Sequence, residues 1–287
     1  MQLISTTIDA MRRTAGYRFP RLGPVAFNLF RKFAPRHIAS DLFPSVCVDI
    51  DLSDPIQACA YWQGSRYEHP TGQILCSWIN QVKAPKFFDI GANFGFFSYL
   101  VQSRFRHVDT YAFEPGPTNF DRLRKAKSRS RLTHLHPYQL GLADSSGQLA
   151  LHLALDDSGH STFGLNPHYQ GHESRLREVM VPVTTFQEWA MQTGLTIPLA
   201  PQWVVKMDIE GFELRALRGM EPFLKAHAFA GLCVEINEHT LNFCGTSAEE
   251  VYAYLAGFGY AAHDEELRAT TPLASEMRNV FFLPGNR

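Results

Sequence analysis

Cysteine is scarce and scattered: Cys47, Cys59, Cys76, Cys233 and Cys244 are the only five, no two closer than eleven positions. That spacing excludes a zinc knuckle and the odd count argues against a disulfide framework, so a reduced, cytoplasmic setting is expected. An excess of charge of either sign is also missing. Lys plus Arg number 27 and Asp plus Glu 28, a formal net charge of −1, which removes the global basic field of a nucleic-acid binder. No apolar run suits a bilayer, because the longest, residues 87–101, is broken by Asp89, Gly91, Asn93 and Gly95. The first residues lack a charged leader followed by an apolar run and a small-residue cleavage site, so a soluble or peripheral protein is expected. Repeats and low-complexity tracts are absent too. What is present is 45% hydrophobic and 19% charged residues over 287 positions, the composition of a chain with a sizeable core.

The charge is unevenly placed. The first forty residues hold Arg12, Arg13, Arg18, Arg21, Arg31, Lys32 and Arg36 against Asp9 alone. Val25, Leu29, Phe30 and Phe33 interleave with the last three cations as in a short basic amphipathic helix, one that packs on a domain or touches a membrane surface. Residues 1–80 show helical and turn patterns and are read as a partly helical N-terminal extension. From Lys86 onward strands and helices alternate, with strands over 86–90, 109–113, about 134–140, 203–208 and 231–236. Alternation of this kind predicts, for residues 81–287, an α/β fold with a mostly parallel sheet covered on both faces. Residues 260–263 and 279–283 are expected as an antiparallel final pair. Ser145-Ser146-Gly147 reads as a hairpin turn into 148–155. Residues 156–178 are polar, carry Gly159, Gly164, Pro167 and Gly171, and are expected to form an irregular lid, with regular structure resuming over 179–186.

The most informative segment is Lys86-Phe87-Phe88-Asp89-Ile90-Gly91-Ala92-Asn93-Phe94-Gly95-Phe96-Phe97-Ser98, together with Tyr111-Ala112-Phe113-Glu114-Pro115. An apolar strand enters a glycine turn, a helix follows, and a second apolar strand ends on a carboxylate 23 positions after Gly91. This is the layout of a nucleoside cofactor site. A dinucleotide fingerprint needs G-x-G-x-x-G, but here Gly91, Asn93 and Phe96 occupy those places. Asp89 at the mouth of the turn would repel a diphosphate, yet it suits a cationic amino group. S-adenosyl-L-methionine lacks phosphate, has a zwitterionic methionine end, and offers two ribose hydroxyls to Glu114, so it fits better than NAD. The expected cofactor residues are Asp89, Gly91, Ala92, Asn93, Gly95, Phe97, Glu114 and Pro115, with Leu140 on the adenine face.

A second segment, Val204-Val205-Lys206-Met207-Asp208-Ile209-Glu210-Gly211, sets Lys206, Asp208 and Glu210 on one face of a strand that should be apolar throughout. Three ionisable groups there are costly unless they pair or act. The following strand carries Glu235, with Asn237 and His239 just beyond. Methyl transfer to a hydroxyl needs an in-line approach and loss of a proton. Lys206, Asp208, Glu210 and Glu235 are therefore the expected catalytic residues, with His160 and His239 as further candidate bases. Asp208, Glu210 and Glu235 also suit a divalent ion, but salt-bridged acids are the simpler reading and no metal is assigned.

Together these segments resemble the FkbM-like family of S-adenosylmethionine-dependent methyltransferases over about residues 87–260. The likeness rests on Asp89-Ile90-Gly91-Ala92-Asn93-Phe94-Gly95, Phe113-Glu114-Pro115, Leu140-Gly141-Leu142-Ala143-Asp144 and Lys206-Met207-Asp208-Ile209-Glu210-Gly211-Phe212-Glu213. It implies a doubly wound, mostly parallel seven-stranded sheet of the Rossmann-like methyltransferase type. It also implies O-methylation of a carbohydrate, lipid-linked or natural-product acceptor. Gly64-Ser65-Arg66-Tyr67-Glu68 resembles an upstream family element, which implies that Glu68 reaches the site. Phe212 and Gly141 depart from the family pattern and bear on acceptor shape. An NAD-dependent oxidoreductase and a non-catalytic nucleoside-binding module are the other readings. No nucleic-acid partner is expected, and the oligomeric state is left open.

Overall fold

The computed structural model describes residues 36–164, 169, 171–272 and 277–285. The basic amphipathic stretch at 25–36 lies outside them except for Arg36. The segment that follows departs from the helical expectation, because β1 (His37–Phe43) and β2 (Val46–Asp51) form an antiparallel hairpin. The reason is a period of two: Ile38, Ser40, Leu42, Val46, Val48 and Ile50 are buried, while His37, Ala39 and Asp41 are exposed and Cys47 and Asp49 are half-buried. Ser45 turns the chain in the left-handed region at φ 61°. The hairpin's apolar side shares one core cluster with Phe96, Tyr99 and Leu123.

Two helices lead into the main sheet. In α1 (Pro55–Gln63) the Asp54 side chain accepts from the Gln57 N–H and Pro55 opens the first turn. After it comes α2 (His69–Gln81). Next, β3 (Lys86–Ile90), α3 (Phe96–Arg104), β4 (Asp109–Phe113), α4 (Pro117–Arg129) and β5 (Leu135–Tyr138) alternate as the sequence predicts. A side excursion holds β6 (Gly141–Leu142), β7 (Gly147–Ala154), β8 (Leu176–Thr184) and α5 (Phe186–Thr193). The chain returns through β9 (Trp203–Met207), α6 (Glu213–Gly219), α7 (Glu221–Lys225), β10 (Phe229–Asn237), α8 (Glu238–Phe243) and α9 (Ala248–Gly257). It closes on β11 (Tyr260–His263) and β12 (Met277–Pro284).

The seven-stranded sheet runs β11-β12-β10-β9-β3-β4-β5, parallel except for β12, which is antiparallel to β10 and β11. The chain winds outward from β3 to β5 and then sets β9 on the other side of β3. A switch point therefore opens between the carboxyl ends of β3 and β9, the place where such sheets take ligands. Side chains alternate between two helical layers. Phe87 and Val204 pack with Leu75 and Trp78 of α2, whereas Phe88 and Val205 pack with Trp189 and Phe223. Lys206 and Asp89 continue the first of these rows towards the switch point, paired in register across β3 and β9.

The side excursion corrects two expectations. Gly147–Ala154 does not fold back on the preceding strand: β8 lies between, pairing antiparallel with β7 and parallel with the two-residue β6. A two-residue strand offers too short a ladder to hold a hairpin partner, and β8 supplies eight paired positions from Leu176 to Val183 instead. The irregular loop is consequently shorter than 156–178. It begins with a 3-10 turn at Ser158–His160 that packs near α1, and Thr162 bridges back to His152.

Candidate active site

The turn after β3 is shaped by its own backbone. Gly91 (φ 78°) and Ala92 both donate N–H bonds to the Phe113 carbonyl, at 3.0 and 2.9 Å. A Cβ on Gly91 would lie 1.9 Å from the Asp208 carbonyl oxygen, so only glycine lets this turn lie against the loop after β9. Asn93, also left-handed, donates its N–H to Glu114 Oε2 at 2.8 Å, and Gly116 N–H donates to Glu114 Oε1 at 2.8 Å. Burial pushes the Glu114 carboxyl up to about 7.

Asp89 is more inward than expected. Its Oδ2 accepts from Ser98 N–H at 2.9 Å and from Ser98 Oγ at 2.6 Å, bracing the first turn of α3, and burial lifts it to about 6. It still lines the cleft, but one oxygen is committed to the protein. Gly95 and Leu140 do not line the cleft. A Cβ on Gly95 would meet Leu123 and Tyr99, and Leu140 packs against the largest core cluster. Gly95 thus serves helix entry. Leu140 lies two residues past the end of β5 at Tyr138.

Lys206 is 2% exposed, with Nζ 3.4 Å from Asp208 Oδ2 and 5.6 Å over the ring of Phe97. Burial opposes its charge, but Asp208, Cys233, Glu235 and Glu68 outweigh burial and hold it above the ordinary lysine range. β9 ends at Met207, so strict alternation does not carry Asp208 and Glu210 to the same side. A turn does so instead, with Asp208 N–H on the Ile90 carbonyl at 3.0 Å and Glu210 left-handed at φ 52°. Glu213, which the sequence reading passed over as a site residue, fixes that turn: its buried Oε1 accepts from Ile209 and Gly211 N–H at 3.1 and 3.3 Å.

As a result Asp208, Glu210 and Glu235 each offer one carboxylate oxygen, all within 4.8 Å of one another. Burial, reinforced by Asp208, pushes Glu210 up to about 9 and raises Glu235 well above the ordinary range. Glu210 therefore holds a proton at neutral pH, as a crowded acid in low dielectric must.

These elements border a cleft of ≈ 570 Å³ that also takes in Tyr67, Glu68, Phe97, Pro115, His160 and His239. The segment after β7 crosses it. Ser158 Oγ donates to Asn93 Oδ1 at 3.1 Å, and Thr162 Oγ1 donates to the Glu210 carbonyl at 2.7 Å. Sequence reasoning found the acids and the turn but missed Tyr67, Ser158, Thr162 and Asn279. The last three act through contacts 48 to 211 positions apart in the chain.

The cleft fits a nucleoside without phosphate. The N–H groups of Gly91, Ala92, Asn93 and Ser98 are all consumed by protein acceptors, leaving little of the amide cradle a diphosphate needs. Six acidic side chains line the cleft against one lysine, a lining that offers a phosphate few cationic partners and suits a sulfonium and an ammonium.

Comparison with known proteins agrees. The methyltransferase FkbM domain matches residues 89–262. The hexuronic acid methyltransferase AglP of Haloferax volcanii is 30% identical over 149 residues, 52% of this chain and 54% of that protein. A protein of Beauveria bassiana called Methyltransferase 1 is 25% identical over 145 residues, 46% of this chain and 57% of its own. The chain thus spans little more than half the length of the curated relatives it matches. Among solved structures, the METTL16 MTase domain aligns with a TM-score of 0.46 at 10% identity, covering 84% of this chain and 74% of that one. Precorrin-6y C5,15-methyltransferase of Geobacter metallireducens aligns at 0.41 and 10%, covering 75% and 87%. The family match covers more than half the chain and replaces the nicotinamide alternative: the chain belongs to the FkbM-like family of S-adenosylmethionine-dependent methyltransferases.

Proposed function

We propose that this chain transfers a methyl group from S-adenosyl-L-methionine to a hydroxyl of a carbohydrate, lipid-linked or natural-product acceptor. The observation that carries the reading is the meeting of two loops: the Gly91 turn lies against the backbone of Asp208, and Asp208, Glu210 and Glu235 cluster beside it. When bound, the cofactor supplies an electrophilic methyl group on a sulfonium. Glu114 accepts from the ribose hydroxyls, and the Gly91 turn receives the methionine end. Lys206 holds Asp208 in place, and Asp208 takes the acceptor's proton. Glu210, raised to about 9 and so protonated at neutral pH, donates a hydrogen bond that orients the acceptor oxygen for in-line attack, with Glu235 beside it. Ser158 and Thr162 hold their strap over the cleft and exclude water.

The hexuronic acid named for the haloarchaeal relative favours a sugar acceptor among the three classes. A cytoplasmic enzyme fits the free cysteines, and among the described residues no helix is long and apolar enough to cross a membrane. Peripheral membrane contact through the basic N-terminal segment would serve a lipid-linked acceptor.

The test is incubation with methyl-labelled cofactor and fractionated cell extract, followed by mass spectrometry of whatever gains the label. The expected result is a label on oxygen, retained cofactor binding in Asp208→Ala, and at least a hundredfold slower transfer by that variant, on the order of a lost proton acceptor. A label on nitrogen or carbon, or transfer by Asp208→Ala at the original rate, would overturn the reading.

A further inference from the structure

Glu68 stands at the N-cap of α2 in the left-handed region, φ 49°, without capping the helix through its side chain. A non-glycine residue persists there only where its surroundings fix it. The fixing contacts are two neutral donors on one oxygen. Asn279 Nδ2 donates to Glu68 Oε2 at 3.2 Å, and Thr71 Oγ1 donates to the same atom at 3.4 Å. Asn279 Nδ2 also donates to Thr71 Oγ1 at 3.1 Å, and Asn279 Oδ1 accepts from Cys233 Sγ at 3.7 Å. The register of β12 sets Asn279 opposite Glu235, so the last strand of the sheet reaches across to the start of α2.

Glu68 lines the cleft, and its Oε1 accepts no hydrogen bond among the described residues. An amide and a hydroxyl orient a carboxylate without cancelling its charge, as an arginine at the same place would. Two neighbouring acids have partners of their own: Asp89 Oδ2 accepts from Ser98, and Asp208 Oδ2 lies 3.4 Å from Lys206 Nζ.

We propose that Asn279 and Thr71 are positioning residues that aim the Glu68 carboxylate at the ammonium of the cofactor's methionine end. This rests on the cofactor reading given above and extends it to two residues outside the family's matched segment, 89–262.

Titration calorimetry of the full chain with S-adenosylmethionine, S-adenosylhomocysteine and methylthioadenosine tests it, because the third ligand keeps the nucleoside and sulfur but lacks the amino-acid end. Asn279→Ala and Thr71→Val should each weaken the first two about five- to tenfold, the scale of one hydrogen bond, and leave the third within about twofold. In turnover the cofactor KM should rise with kcat unchanged. Thermal melting reports on folding, and the near-isosteric Thr71→Val keeps the test alive if Asn279→Ala does not fold. Unchanged affinities, or an equal loss for all three ligands, would overturn the inference. An unmodified chain that bound none of the three would sink the cofactor reading, and this inference with it.

Discussion

Replacing Glu114 by alanine probes the cofactor site at a buried acid that both faces the cleft and holds the Gly91 turn. Glu114 is 8% exposed, accepts two backbone N–H bonds at 2.8 Å, and is raised by burial from 4.5 to about 7. A shift of that size disfavours ionisation in the folded chain by about 3 kcal/mol. Since the folded value is the higher one, the stability linked to this group is full below its unfolded value and is lost as pH rises through about 7. Cofactor binding should run the opposite way. The ribose hydroxyls need an ionised acceptor, so affinity should tighten as pH rises through about 7. Asp89, raised by burial to about 6, and Glu213, raised to about 7, share the stability sign, so the difference between wild type and variant isolates Glu114. Glu114→Ala should cost about 1.5–3 kcal/mol of affinity for S-adenosylhomocysteine, roughly ten- to 150-fold, and flatten its pH dependence. Calorimetric titration across this pH range, with thermal melts as a folding control, is the assay. A folded variant that binds as tightly as wild type under alkaline conditions would refute the reasoning.

Lys206→Met removes the cation that Asp208, Glu235 and Glu68 share. Leaving Asp208 without its partner should cost about 1.5–3 kcal/mol, seen as a Tm lower by roughly 3–12 °C, and a melt within about 1 °C of wild type would contradict it. Asp109 lies at the far end of the sheet and is bonded to Lys86 (3.1 Å), His134 (2.9 Å) and His136 (3.2 Å). Burial opposes its charge, but those partners hold the carboxyl well below its ordinary value. Its contribution is therefore present above the unfolded value and lost as pH falls. Being partly exposed it is worth about 1 kcal/mol or less, and Asp109→Asn should remove that acid-side slope in urea unfolding. Because Lys206 already pairs with Asp208 inside the cluster, the three acids are expected to work without a metal. Dialysis against EDTA should leave turnover intact, and activity lost to EDTA and restored by Mg²⁺ would reassign them as ligands.

The sequence determined the alternating core and the two acid-tipped segments, because both signals are local. Phe87-Phe88 and Val204-Val205 can be buried on both faces only in a covered parallel sheet, and Gly91 with Glu114 mark strand ends within one βαβ unit. The β1–β2 hairpin carries a local signal in the alternating Val46, Val48 and Ile50, but a run this short does not separate strand from helix by periodicity alone. Only the tertiary structure decided which acids work outward. Ser98 turns Asp89 inward, Glu213 bends the loop that carries Glu210, and the antiparallel return of β12 brings Asn279 to Glu68, 211 positions away. Such long-range pairings leave no local period in the chain. They exist because folding brings together groups whose burial has to be satisfied by a partner, wherever in the sequence that partner lies.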